Sequence, residues 1–156
     1  MIIIGIDPGL ARLGYGVIRV DRAITAPVCY GCMETPAGTR PAERLFKIYN
    51  GITSLFDRYP PEELAIEKLF FSKNITSAMG VSEVRGVVLL AAEQRHIPVT
   101  EYTPNQVKQA VTGSGRADKN QVQQMITRLL HLDEVPQPDD AADALSIALC
   151  HSHVMR

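Results

Sequence analysis

The chain has 156 residues, 16 Lys and Arg against 17 Asp and Glu, and a formal net charge of −1. That length fits a single domain over residues 1–156, since one core typically serves ~100–200 residues. Hydrophobic residues make up 46% and charged residues 21%, a globular balance that excludes a disordered, collagen-like, coiled-coil or disulfide-scaffold chain. The near-zero total excludes uniformly basic, histone-like binding to nucleic acid but leaves room for local basic patches.

Cys29, Cys32 and Cys150 are the cysteines. An odd, low count points to reduced thiols and a cytoplasmic compartment. Cys29 and Cys32 have redox or zinc spacing, but they fall in an expected strand, where an odd offset sends them to opposite faces. No second Cys/His pair completes a zinc site. No continuous apolar run reaches the ~18–20 residues of a membrane span, and the N-terminus lacks a signal-peptide pattern.

Met1 to Ile6 is an apolar run broken by Asp7-Pro8-Gly9, as in a buried strand ending at a turn. Gly14–Val20 and Val28–Thr35 read as two more strands in an antiparallel meander. Leu45, Ile48, Ile52, Leu55, Phe56 and Tyr59 recur at helical spacing until Pro60-Pro61 stops them. Leu64-Ala65-Ile66 is a fourth strand that delivers Glu67. Residues 75–95 form a long helix whose apolar residues cover more than one face, so one side fits the core and the other a subunit interface. Ile97–Tyr102 is the fifth strand. Pro104 opens a short helix, and Asp118 caps the next one with Gln121 as its capping-box partner. A last helix starts near Asp139. His96 and His131 fall at helix C-termini, and His151 and His153 are expected on the terminal surface. The order predicts an α/β fold: a five-stranded mixed sheet with helices on both faces.

Asp7 and Glu67 end the first and fourth strands, where sites form in open α/β sheets. Asp140 and Asp143 share one face of the last helix. Spacing does not choose between Asp139 and Asp140, which stand i,i+4 and i,i+3 to Asp143. Asp143 lies among Ala141, Ala142, Ala144 and Leu145, so it needs a partner or a metal. Converging carboxylates repel one another. A hard divalent cation neutralises them, Mg²⁺ first, with Mn²⁺ able to substitute. Two ions about 4 Å apart clamp the attacking and leaving oxygens of a phosphodiester. The chemistry indicated is metal-assisted phosphodiester hydrolysis.

The runs GIDPGLARLGYGVI, AIEKLFFSKN, VKQAVTGSGRADKNQV and DDAADALSIALCHSH resemble the RuvC family of Holliday junction resolvases, in order and spacing over residues 1–155. The resemblance implies a ribonuclease-H-like fold and a bacterial, cytoplasmic, homodimeric endonuclease acting at the nucleoid. Its implied substrate is a four-way DNA junction, cut symmetrically with Mg²⁺, two ions per active site, in recombination and repair. It assigns the catalytic and metal-binding carboxylates to Asp7, Glu67, Asp140 and Asp143, favouring Asp140 over Asp139, and marks Lys108 and Lys119 as basic residues beside them. Phe70 matches an aromatic that contacts unstacked bases, and the branch-migration proteins RuvA and RuvB are implied as partners.

Lys108 and Lys119 suit the scissile phosphate. Of the consecutive Phe70 and Phe71, one can stack on a base while the other packs inside. Lys73, Asn74, Arg85 and Arg116 are candidate phosphate contacts. Two other functions are alternatives: a ribonuclease H acting on RNA–DNA hybrids, whose acid set is of a similar kind, and a non-catalytic junction-binding scaffold, against which the four acids argue. A Gly-Ile-Asp-Pro-Gly strand also occurs in actin-like sugar kinases, which are much longer. Charge is unevenly placed: residues 68–128 hold 8 basic and 4 acidic side chains, and residues 129–156 hold 1 and 5. A basic middle suits DNA, and an acidic end suits metal.

Overall fold

Alternation along the first strand organises the molecule. In β1 (Ile2–Asp7), successive side chains point to opposite faces of the sheet. Ile4 and Ile6 enter one apolar cluster and Ile3 the other. β1 is central in a five-stranded sheet of order β3-β2-β1-β4-β5. It pairs antiparallel with β2 (Arg12–Asp21), which pairs antiparallel with β3 (Ile24–Glu34). On its other side it pairs parallel with β4 (Glu63–Glu67), which pairs parallel with β5 (Val99–Tyr102). This computed structural model describes residues 1–69 and 75–156. The fold is the expected mixed α/β arrangement with helices on both faces.

Helices α1 (Pro41–Arg58) and α2 (Ile75–Gln94) cover one face. Ile48, Ile52 and Phe56 of α1 and Val84, Val88 and Ala92 of α2 pack there with Ile4, Ile6, Leu64 and Ile66. Helices α3 (Pro104–Thr112), α4 (Lys119–Leu129) and α5 (Asp139–Val154) cover the other. Thr103 with Gln106, and Asp118 with Gln121, form reciprocal capping boxes at α3 and α4. His96 and His131 take positive φ just beyond α2 and α4, so they close helix ends in a left-handed conformation.

β3 begins at Ile24, four residues before the sequence reading placed it. Pro27 concealed the start, because proline interrupts a strand pattern. On this edge strand its missing N–H is tolerated, and the register shifts between Val17 and Ile18 opposite it. Cys29 packs with the α1–α2 cluster while Cys32 lies near Asp140, on opposite faces as expected, and all three cysteines are free.

By length and composition alone α2 could cross a membrane. Its buried row Ala78, Val84, Val88, Ala91 and Ala92, with Glu83 and Arg85 at mid-helix, is that of a core helix. Its other side leaves Met79 60% and Leu90 56% exposed, so the two-sided character expected from sequence is present.

Helix α5 lies on the sheet backbone itself. A Cβ on Gly5 would stand 2.2 Å from the Ala144 carbonyl oxygen, and one on Gly14 would stand 2.0 Å from that of Asp140. Ala141, Ala142, Ala144 and Ala148 supply the thin side of the helix and are fully buried. Overpacking of this kind typically costs about 1–3 kcal/mol. Gly5→Ala is therefore expected to lower Tm by roughly 3–10 °C, read by thermal denaturation followed by circular dichroism. An unchanged Tm would show that α5 has slack the packing denies.

Candidate active site

The same alternation fixes the first two acids. Asp7 continues the row Ile3, Gly5, and Glu67 continues the row Glu63, Ala65, both on the α5 side. Ile6 pairs with Ile66 in parallel register, so Asp7 and Glu67 end adjacent central strands side by side. Asp140 and Asp143 stand in the first turns of α5, whose N-terminal end lies over β2 at Gly14. One strand pair and one helix N-terminus thereby bring four carboxylates together.

Their electrostatics follow from that crowding. Asp7 is pushed up to about 9, by burial first and then by the charges of Glu67, Asp143 and Asp140. It holds a proton and hydrogen-bonds Glu67. Glu67 is raised chiefly by burial, with the Asp7 hydrogen bond pulling the other way. Asp143 is raised by burial, opposed by Lys119. Asp139 behaves differently. It is exposed, held below the carboxylate range by Lys119, and its Oδ2 lies 3.0 Å from Lys119 Nζ. Asp140, not Asp139, is among the charges that raise Asp7, whereas both act on Asp143.

Two cations meet the acids directly. Lys119 Nζ also lies 3.8 Å from Asp143 Oδ2. Arg12 stands between Glu34, at 3.3 Å, and Asp140, at 3.5 Å. Sequence reasoning missed Arg12. The signal was available: Pro8-Gly9 turns the chain back, and the first residue of an antiparallel β2 must lie beside the end of β1. Lys108 and Lys119 line a cleft of about 280 Å³ with Glu67, Asp143, Pro104, Val107, Val122 and Ile147. Acids and lysines thus border one concavity.

Among the described residues no three Asp, Glu, His or Cys side chains already enclose a cation as placed. The donor set nevertheless fits a hard divalent ion. All four donors are carboxylates, and burial together with their mutual repulsion keeps a proton on Asp7 that a cation would displace.

Other expectations divide. Arg116 is exposed and lines a polar cleft with Ser114, Asn120 and Arg128. Arg85, expected at a phosphate, is only 8% exposed and turned inward. It donates to the Glu67 carbonyl and to the Glu101 carboxylate. His151, expected at the surface, is 3% exposed. Its Nδ1 is 2.7 Å from the Tyr102 hydroxyl, and its Nε2 is 3.5 Å from Glu63. α5 runs across the sheet rather than off its edge, so its last turns stay covered. His153 is half-buried, with Nδ1 2.9 Å from the Ala110 carbonyl. Phe70, Phe71, Lys73 and Asn74 lie outside the described residues.

Residues 3–151 match the family profile described as crossover junction endodeoxyribonuclease RuvC. The protein of that description from Desulfitobacterium hafniense is 54% identical, over 98% of this chain and 93% of its own length. RuvC of T. thermophilus, solved in complex with Holliday junction substrate, superposes with a TM-score of 0.96 at 38% identity, covering 100% of this chain and 95% of its own. The yeast mitochondrial Holliday junction resolvase shares the fold with a TM-score of 0.70 at 13% identity, over 97% and 78% of the two chains. A family profile matching residues 3–151 and relatives about half identical across nearly the whole length establish that this chain belongs to the RuvC family of crossover junction endodeoxyribonucleases.

Proposed function

We propose that this endonuclease resolves four-way DNA junctions by paired, symmetric, metal-dependent phosphodiester hydrolysis in recombination and repair. The observation that carries the reading is the mutual interaction of Asp7, Glu67, Asp140 and Asp143, two of which, Glu67 and Asp143, line a cleft together with Lys108 and Lys119. The junction-bound relative from T. thermophilus, at 38% identity over the full chain, supports the choice of substrate.

The four carboxylates would hold Mg²⁺, two ions per site, with Mn²⁺ able to substitute. Bound there, the metal supplies water activation and neutralises charge building on the phosphate. The chain's own residues do the rest. Asp7 would hold the ion as the carboxylate, so its proton would leave on metal binding. Lys119, paired with Asp139 and Asp143, and Lys108, lining the same cleft, would offer positive charge to the scissile phosphate. Val107, Val122 and Ile147 form an apolar wall that limits water. Arg116, Lys73 and Asn74 would steady backbone phosphates, and Phe70 or Phe71 would stack on an unpaired base.

A junction has two-fold symmetry, which suits two identical sites in a homodimer. The exposed apolar side of α2, with Met79 and Leu90, supports that assembly. The setting proposed is the bacterial cytoplasm, with RuvA and RuvB as branch-migration partners.

Asp7→Asn is expected to lower junction cleavage in Mg²⁺ by ~10³-fold or more, the scale of losing one charge-stabilising group. Gel-shift affinity measured in Ca²⁺ should stay within a few-fold. Retained cleavage would remove Asp7 from the chemistry, and preferential cutting of an RNA–DNA hybrid would redirect the reading to a ribonuclease H.

The raised Asp7 also sets a pH dependence. Between about 3.8, its ordinary value, and about 9 the folded chain keeps a proton that the unfolded chain releases. Folding stability therefore falls with rising pH across that window. Without metal, Asp7→Asn should raise Tm by several degrees at pH 8 and by clearly less at pH 5. An equal gain at both values would refute the shift.

For the assembly, Leu90→Glu is expected to convert a dimer into a monomer by sedimentation, and to leave single nicks where paired cuts occurred. A dimer persisting in the variant would place the interface elsewhere.

A further inference from the structure

We infer that Arg85 is a positioning residue that sets the backbone of Glu67, and that Pro8 makes it necessary. The inference rests on the proposed role of Glu67 at the acid cluster.

The argument begins with the β1–β4 ladder. The Lys68 N–H bonds the Tyr102 carbonyl at 2.8 Å, so Lys68 faces β5. Its neighbour Glu67 therefore directs its backbone groups toward β1. Ile6 is paired with Ile66 in that parallel register. The β1 residue whose N–H would next meet the Glu67 carbonyl is residue 8, a proline with no N–H to give. The ladder thus ends one bond short, beside the acid that the site needs held in place.

Arg85 fills that gap from the other layer. It reaches from the middle of α2 to the Glu67 carbonyl with one guanidinium nitrogen and to the Glu101 carboxylate of β5 with another. Burial of an arginine is costly unless its charge is paired, and Glu101 provides the pairing. The guanidinium fork fixes both contacts at once, which a lysine cannot reproduce. Its positive charge also opposes the rise of Glu67's carboxyl caused by burial. Arg85 touches no reacting atom. It acts by orienting the strand end that carries Glu67, as an outer partner orients a ligand.

The test uses the full-length protein and two separate readouts. The first is the Tm increase produced by Mn²⁺ or Mg²⁺ alone, titrated for wild type, Arg85→Ala, Arg85→Lys and Glu101→Gln. The second is single-turnover junction cleavage against Mg²⁺ concentration, beside gel-shift affinity in Ca²⁺. Loss of an outer partner typically costs 10–100-fold in metal affinity or activity. Arg85→Ala is expected to raise the half-saturating metal concentration about 10–100-fold in both readouts, with junction affinity within about three-fold. Arg85→Lys should recover only part, and Glu101→Gln should move the same way by less. The Glu101 side chain is 39% exposed against 9% for Arg85, so its variant disturbs the core less and keeps the test decisive if Arg85→Ala fails to fold. Wild-type metal titrations in the variants that fold would overturn the inference. So would loss of junction affinity matching the loss of cleavage, which would make Arg85 a DNA contact. A wild-type protein that responds to metal yet leaves junctions uncut would fail the proposed function, while the thermal titrations would still decide the role of Arg85.

Discussion

Everything at the acid cluster depends on how closely α5 lies on β1 and β2. Ordinary side chains hold a helix away from a sheet. Here glycine on the strands faces alanine on the helix, and backbone meets backbone at Gly5 and Gly14. The helix start therefore comes down onto the strand ends instead of passing above them. Its N-terminal N–H groups carry partial positive charge, which favours Asp139 and Asp140 in its first turn. A looser contact would leave Asp140 and Asp143 remote from Asp7. Small residues that read as featureless in composition thus do the geometric work of bringing four acids together.

That geometry concentrates more negative charge than the protein alone neutralises. Arg12 and Lys119 each reach two acids, but neither touches Asp7, which keeps a proton instead. Pairing is therefore uneven: the helix acids have cationic partners and the strand acids have each other. The unevenness is directional. The lysines stand on α3 and α4 and line the cleft that Glu67 and Asp143 border, so a phosphate entering it would meet positive charge beside those acids. The overall charge of −1 conceals this separation, because the basic middle of the sequence and its acidic end cancel in the sum.

Much of this was legible in the sequence, for definite reasons. β1 and β4 could be read because buried central strands are continuous apolar runs ended by an acid or a turn. The α4 start could be read because Asp118 and Gln121 have capping spacing, and the box is present. The acids stood out because two end apolar strands and the others share one face of an apolar helix, while the choice among them came from the resemblance of the surrounding motifs to a known family. What escaped depends on tertiary direction. Arg85 looks like any exposed arginine on a helix, since nothing local says that its face turns inward to an unfilled carbonyl. His151 looked terminal because sequence position is not depth, and α5 remains covered through Ser152. Arg12 needed the antiparallel return of β2 to be seen beside Asp140. In each case the local pattern specified the element, and the partner came from a different layer.

Helix α2 shows how those layers are joined. One side packs on the sheet through Val84, Val88 and Ala92, another leaves Met79 and Leu90 exposed, and Arg85 passes between sheet and site. A shift of α2 along its axis would strain both guanidinium contacts and so move the strand end bearing Glu67. In the proposed dimer the exposed side of that same helix meets its counterpart, so each interface helix would carry the tether of its own site. A substrate that must be cut twice, on opposing strands, places a premium on two sites having the same geometry at the same time. A tether on the helix of the proposed interface would meet that demand with one buried arginine, which the N–H missing from Pro8 makes necessary.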